Sequence, residues 1–158
     1  EVDAIIVETQ TDLEEAAIGV EAAKVAGAPL IICSLAYDVA ADGSAIHTMM
    51  GVRPEGAAER LLELGVDVVA LNCGTGIDMT MAAGMVGRFR EAGAEWTMVQ
   101  PNAGIPELVD GQTVYRQTPL EMASALPAVL DAGVNIVGAC CGSTPEHIAA
   151  LRKVMAVG

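Results

Sequence analysis

Positive charge is what this chain most conspicuously lacks. It carries 8 Lys and Arg against 21 Asp and Glu, a formal net charge of -13. A polyanion would be repelled rather than gathered, which excludes nucleic acid and anionic membrane surfaces as partners. Long apolar runs are also missing. The longest, such as Ala28 to Leu35, fall far short of the roughly 20 residues that cross a bilayer, and no basic-then-apolar leader opens the sequence. Cysteine is sparse, with 4 in the chain, and two of them are adjacent, a poor arrangement for a secreted disulfide framework. The expectation is a soluble protein of a reducing, cytoplasmic setting, with no membrane partner. What the chain does have is core material. Its 158 residues are 53% hydrophobic with a mean hydropathy of +0.46, which predicts one folded domain and excludes disorder as the main state. The first residue is Glu1 rather than Met, which points to a processed chain, a fragment, or numbering that starts inside a longer protein.

Short continuous apolar runs alternate five times with longer segments of helical period. The runs Asp3 to Val7, Leu30 to Leu35, Asp67 to Leu71, Trp96 to Val99 and Asn135 to Gly138 read as strands, rich in Ile and Val and buried on both faces as in a parallel sheet. Helices are predicted over Asp12 to Ala26, Glu55 to Leu64, Ile77 to Ala92, Leu120 to Ala132 and Pro145 to Val157. Glycines 27, 65, 93 and 133 follow four of them, where a helix needs a left-handed closing residue, and Thr11 or Asp12 and Ser143 or Thr144 are candidate caps. The longest irregular stretches, Tyr37 to Pro54 and Pro101 to Pro119, are long enough to be functional loops. Two α/β architectures fit this pattern. Eight units of about 30 residues make a (β/α)8 barrel, of which this chain holds only five; an open doubly wound sheet can be completed by five alone.

In both architectures ligands bind where strands end, so polar residues at those ends are the candidates. The ends deliver Glu8-Thr9-Gln10, Cys33-Ser34, Asn72-Cys73-Gly74, Gln100-Pro101-Asn102 and Cys140-Cys141-Gly142. Cys73, Cys140 and Cys141 can occupy three corners of a zinc tetrahedron with the fourth open, and the absence of paired C-x-x-C spacings favours an open site over a structural one. Buried cysteines also serve as small hydrophobes, the reading that suits Cys33 in its Ile-Ile-Cys-Ser run, and a vicinal disulfide is a third possibility for Cys140-Cys141.

Asn72-Cys73-Gly74, Pro101-Asn102-Ala103-Gly104-Ile105-Pro106 and Gly138-Ala139-Cys140-Cys141-Gly142-Ser143-Thr144-Pro145-Glu146-His147-Ile148 together resemble the homocysteine S-methyltransferase family, and Val7-Glu8-Thr9 with Glu15 is similar to its fourth-strand segment. The resemblance spans essentially the whole chain. It implies a (β/α)8 TIM barrel of which residues 1–158 supply the fourth to eighth units, the C-terminal part of the barrel domain. It implies Zn2+ held by Cys73, Cys140 and Cys141, a homocysteine amino group bound by Glu8, and an Asn102 that approaches the metal when substrate is absent. It also implies methyl transfer to the homocysteine thiol, giving methionine, from a corrinoid, folate or other donor supplied by another domain or protein. Two departures stand out. Gly-Ala-Cys-Cys-Gly-Ser replaces the family's Gly-Gly-Cys-Cys-Gly-Thr, so the Ala139 methyl is expected to crowd the metal loop. The first three units are missing, so the chain needs them, or a second chain, as partner.

The chemistry is coherent. Zn2+ with three thiolates has net charge -1, so a substrate thiol in the open position loses its proton yet keeps an electron-rich sulfur. Glu8 offers a carboxylate to an ammonium, or is simply an acid near a helix N-terminus. Asn72 and Asn102 can donate to thiolates or to a carboxylate. His147 reads as structural and His47 as the better candidate for substrate or donor contact. Met49, Met50, Met79, Met81 and Met85 read as packing or loop contacts, and Gly74-x-Gly76 lacks the rest of a phosphate loop. The competing readings are an incomplete or non-catalytic half-barrel subunit and a structural zinc module.

Overall fold

The computed structural model describes residues 2–156, so the predicted helix end at Val157 lies outside the described residues. In chain order the elements are β1 (Ile5–Gln10), α1 (Leu13–Val25), β2 (Ile31–Leu35), β3 (Asp38–Val39), β4 (Ile46–His47), α2 (Pro54–Glu63), β5 (Val68–Asn72), α3 (Met79–Glu91), β6 (Trp96–Gln100), β7 (Glu107–Val109), β8 (Gln112–Val114), α4 (Pro119–Ser124), α5 (Leu126–Asp131), β9 (Ile136–Val137) and α6 (Pro145–Met155).

Five strands form one parallel sheet in the order β1-β2-β5-β6-β9. Strand order follows chain order with no reversal, and the helices pack with Ile31, Cys33, Leu35, Val69, Leu71 and Val99 on one face. A doubly wound sheet reverses its order at a switch point and carries helices on both faces, so that alternative does not describe this chain. The opposite face holds a separate small apolar cluster of Ile32, Val68, Ala70 and Met98. Strands β2 and β5 are buried throughout, as a parallel sheet predicts, whereas β1 and β9 are the edges and alternate between half-buried and exposed residues. Burial on both faces thus holds for the centre only.

Side chains at the strand starts fix the register. Asp67 Oδ2 accepts from the Ile31 amide at 2.7 Å and Asn135 Oδ1 from the Thr97 amide at 2.9 Å. Each bond locks one strand against its neighbour, and the C-terminal ends come level on one rim.

The predicted elements are corrected at four places. First, β1 runs on to Gln10, so Glu8 and Thr9 lie within the strand and not beyond it, at an irregularity between Val7 and Gln10 where Thr9 turns to φ 59°. Second, the helix expected over Leu120 to Ala132 is two, α4 and α5, joined at Ala125. Pro127 has no N–H to give the Ala123 carbonyl and its ring crowds that turn. Third and fourth, each long irregular stretch contains a short antiparallel hairpin, β3–β4 and β7–β8. Asp110 and Gly111, at φ 50° and 78°, form the two-residue turn of the second hairpin, for which Asp-Gly is a favoured pair.

Phe89 of α3 is fully buried beneath the rim loops, its ring 6.3 Å from that of Tyr37, which leads into the β3–β4 hairpin. Truncating such a side chain costs the transfer free energy plus a cavity. Phe89→Ala is expected to lower unfolding stability by about 3–5 kcal/mol, read by denaturant titration; a loss under about 1 kcal/mol would contradict this packing.

Candidate metal centre

The tight turn after β5 presents Cys73 in a left-handed conformation, φ 55°, followed by Gly74 at φ 86°. A Cβ on Gly74 would lie 1.8 Å from the Tyr37 carbonyl oxygen, so only glycine lets the chain pass there. After β9 the chain loops through Ala139, Cys140 and Cys141, the Cys140 amide donating to the Pro101 carbonyl at 2.9 Å. The Ala139 methyl packs against the main core, so the crowding expected of it is absorbed there.

These two turns bring three sulfurs together. Cys73 Sγ is 3.8 Å from Cys141 Sγ, Cys140 Sγ is 3.9 Å from Cys141 Sγ, and all three lie within 4.8 Å of one another. Four sulfurs around zinc at about 2.3 Å would stand about 3.8 Å apart in a regular tetrahedron. The donor set and its spacing therefore fit a soft metal ion with one corner left free. Burial pushes the Cys140 thiol up to about 11, Cys73 and Cys141 push the same way, and the Asn72 hydrogen bond opposes them. A cation binding here displaces protons.

Asn102 is buried and joins the two turns, its Oδ1 accepting from the Cys141 amide at 3.1 Å and its Nδ2 donating to the Gly74 carbonyl at 3.0 Å. Each end of the amide thus makes one bond to backbone, and the second N–H of Nδ2 stays free to donate. Asn72, also buried, accepts on Oδ1 from Ser34 Oγ at 2.5 Å and the Thr9 amide at 3.2 Å. Its Nδ2 donates to Thr9 Oγ1 at 2.7 Å and points to Cys140 Sγ at 3.8 Å. Glu8 is exposed, and its place inside β1, four residues before the Asp12 cap of α1, removes the helix-dipole reading. Ile5 and Val7 pack toward the helices, so Glu8 alternates onto the opposite sheet face, shared with Ser34 and Asn72.

Several expectations for other residues find a definite place. Cys33 lies in the core, where burial pushes its thiol up to about 12. His147 is buried in the first turn of α6; its Nδ1 accepts from the Thr144 amide at 3.0 Å, which assigns the proton to Nε2, donated to the Gln117 carbonyl at 2.9 Å. His47 bonds the Thr48 carbonyl at 3.0 Å within its own loop. Met79 and Met85 are fully buried, and Met49 and Met50 are exposed. Sequence reasoning missed Tyr115, which follows β8 and lies over the cysteine pair. Its ring covers Gly142, and its phenol is raised first by burial and then by the adjacent Cys141, with Cys73 and Cys140 acting in the same direction. One tyrosine on an irregular stretch carries no periodic signal; its contact across 27 positions appears only on folding.

No helix among the described residues is long and apolar enough to cross a membrane. Comparison with known proteins agrees with the geometry. The chain is 34% identical over 98% of its length to methionine synthases of Mycobacterium leprae and Mycobacterium tuberculosis, of which it spans 13%. It is 28% identical to a rat S-methylmethionine–homocysteine S-methyltransferase, BHMT2, and spans 45% of that protein. In fold it resembles the homocysteine methyltransferase MmuM of Escherichia coli, with a TM-score of 0.70 and 21% identity over 97% of this chain and 50% of the other. The chain thus covers half or less of these relatives. The family profile described as homocysteine S-methyltransferase matches residues 1–155, and the chain belongs to that family.

Proposed function

We propose that residues 1–158 are the C-terminal part of a homocysteine S-methyltransferase barrel domain that transfers a methyl group to the thiol of homocysteine, giving methionine, at a zinc ion held by Cys73, Cys140 and Cys141. The observation that carries this reading is the sulfur spacing of 3.8 and 3.9 Å on a rim at the strand ends. Bound zinc supplies the acidity that makes a substrate thiol a thiolate at neutral pH, where an aliphatic thiol with a reference pKa of about 8.5 is otherwise protonated.

The chain's own residues do the rest. Asn102 fixes the Gly74 and Cys141 backbones, so the sulfurs need not reorganise when the ion binds. Asn72 holds Cys140 from the other side. Glu8, on the same sheet face as Asn72, offers its carboxylate to the substrate ammonium, so the homocysteine sulfur is oriented as well as bound. The substrate proton leaves to solvent, a carbon–sulfur bond forms and the bond from methyl to donor breaks. The donor, a corrinoid or folate in this reading, is brought by another domain or protein.

The remaining units of the barrel are part of the proposal. The strand order runs with the chain, the edge residues Ile6 and Ile136 on the face opposite the helices are exposed, and the relatives are at least about twice as long. A second chain supplying those units is the alternative that the same open edges support.

Elemental analysis of the full polypeptide is expected to give one zinc per chain, almost none in Cys140→Ser and an unchanged content in Cys33→Ser; equal zinc in the parent and Cys140→Ser contradicts the assignment. Glu8→Gln removes a charge-assisted contact worth roughly 1.5 to 3 kcal/mol, so homocysteine binding should weaken at least tenfold with zinc retained. An unchanged dissociation constant rejects that role. The 158 residues alone are expected to associate in sedimentation, and a compact, cooperatively melting monomer would argue that no further units are needed.

A further inference from the structure

In the pairing of β1 with β2, Val7 stands opposite Cys33 and Gln10 opposite Leu35, so Glu8 and Thr9 together face the single residue Ser34. One extra residue on one strand is a β-bulge, a device that re-aims a side chain and gathers beside functional sites. Thr9 accommodates it at φ 59°, a conformation that a β-branched residue keeps only where its surroundings hold it there. Side chains from two other strands do the holding. The Thr9 amide donates to Ser34 Oγ at 3.3 Å and to Asn72 Oδ1 at 3.2 Å, its hydroxyl accepts from Asn72 Nδ2 at 2.7 Å, and Ser34 Oγ donates to Asn72 Oδ1 at 2.5 Å. Beyond the bulge, Gln10 Nε2 donates to the Glu8 carbonyl at 3.1 Å and the Gln10 carbonyl accepts from the Ala36 amide at 2.9 Å. Asn72 Nδ2 also points to Cys140 Sγ at 3.8 Å. One carboxamide therefore grips the bulge that carries Glu8 and reaches a sulfur of the thiol cluster, although β2 lies between β1 and β5.

Resting on the reading of the thiols as a metal site and of Glu8 as the ammonium partner, we propose that Thr9 is a positioning residue whose clamp on Asn72 fixes the separation of the Glu8 carboxylate from the sulfurs, and that this separation selects the amino acid by chain length. An amino acid with its thiol on the metal and its ammonium on Glu8 is measured between its two ends. Homocysteine spans both anchors. Free cysteine is one methylene shorter, so with its sulfur on the metal it gives up Glu8. Two anchors discriminate length only if neither drifts toward the other. Among the described residues β1 pairs with β2 alone, so its C-terminal end needs a tie to the strands that carry the cysteines, and Thr9 supplies it.

The test is isothermal titration of the zinc-loaded full polypeptide with homocysteine and with free cysteine. The parent is expected to prefer homocysteine by roughly tenfold or more, because cysteine forfeits a charge-assisted contact. Thr9→Ala removes the hydroxyl; Thr9→Gly removes it and also adopts φ 59° without strain. In both, homocysteine should bind about three- to tenfold more weakly, while cysteine binding and zinc content stay as in the parent, since cysteine never reached Glu8. Thr9→Ser keeps the hydroxyl and should retain the parent's preference; weakening there to match Thr9→Ala overturns the role of the hydroxyl. An unchanged preference in Thr9→Ala and Thr9→Gly overturns the clamp. Equal weakening of both ligands, or loss of zinc in both variants, also overturns it by making Thr9 a residue of the fold alone. A parent that binds the two amino acids equally overturns selection by length. A parent that binds no zinc or no homocysteine fails the reading beneath the proposal, an outcome seen before any variant is titrated.

Discussion

The site depends on one buried carboxamide. Asn102 reaches back 28 positions to the Gly74 carbonyl and forward 39 to the Cys141 amide, and through it two strand ends that do not pair directly are held at one separation. β5 and β9 are not neighbours; β6 lies between them. Asn102 follows β6 and spans that gap, which is why cysteines from the outer two strands meet over the middle one. The Cys73 and Cys140 sulfurs lie 3.8 and 3.9 Å from that of Cys141, and two thiolates at such a distance would repel at about 4 kcal/mol in a protein-surface dielectric. A bridge anchored in backbone rather than in the sulfurs keeps the cluster assembled without help from the thiols themselves.

Backbone strain gathers at the same rim. Thr9 and Cys73 both adopt positive φ, at 59° and 55°, and for a β-branched residue such as Thr9 this is a marked departure that costs of order 1–3 kcal/mol. The offset is local. The Thr9 amide donates to Ser34 Oγ at 3.3 Å and Asn72 Oδ1 at 3.2 Å, and its hydroxyl accepts from Asn72 Nδ2 at 2.7 Å. The irregularity in β1 is thus tied to the side chain that points at Cys140. A change at Thr9 would reach the thiols through Asn72 without touching a sulfur.

The five strands, the glycine-closed helices and the three-cysteine rim were legible because each leaves a periodic or positional mark: apolar runs, a left-handed stop, a residue just past a strand. The end of β1 was not, since Glu8-Thr9-Gln10 reads as polar loop when an edge strand has no partner on one side to bury it. Pro127 and Asp110-Gly111 carried local signals for the helix break and the hairpin turn; both lay inside longer patterns that masked them. The roles of Asn102, Thr9, Ser34 and Tyr115 had no sequence signature at all, because side-chain bonds to backbone across tens of positions follow no period.

The face that carries Glu8, Ser34 and Asn72 also bears the cluster of Ile32, Val68, Ala70 and Met98, and among the described residues no helix contributes to that cluster. Parallel sheets are covered on both faces, because their strands are apolar on both. At the edges of this face Ile6 is 46% and Ile136 41% exposed, whereas the central strands already shield themselves. The deficit is therefore greatest at the edges, where additional strands would attach, and least in the middle. In the barrel proposed above, strands added there would cover Ile6 and Ile136. On that proposal the apolar edges and the rim chemistry call for the same missing strands, since those that cover Ile6 would also flank Glu8, two positions along the same edge strand.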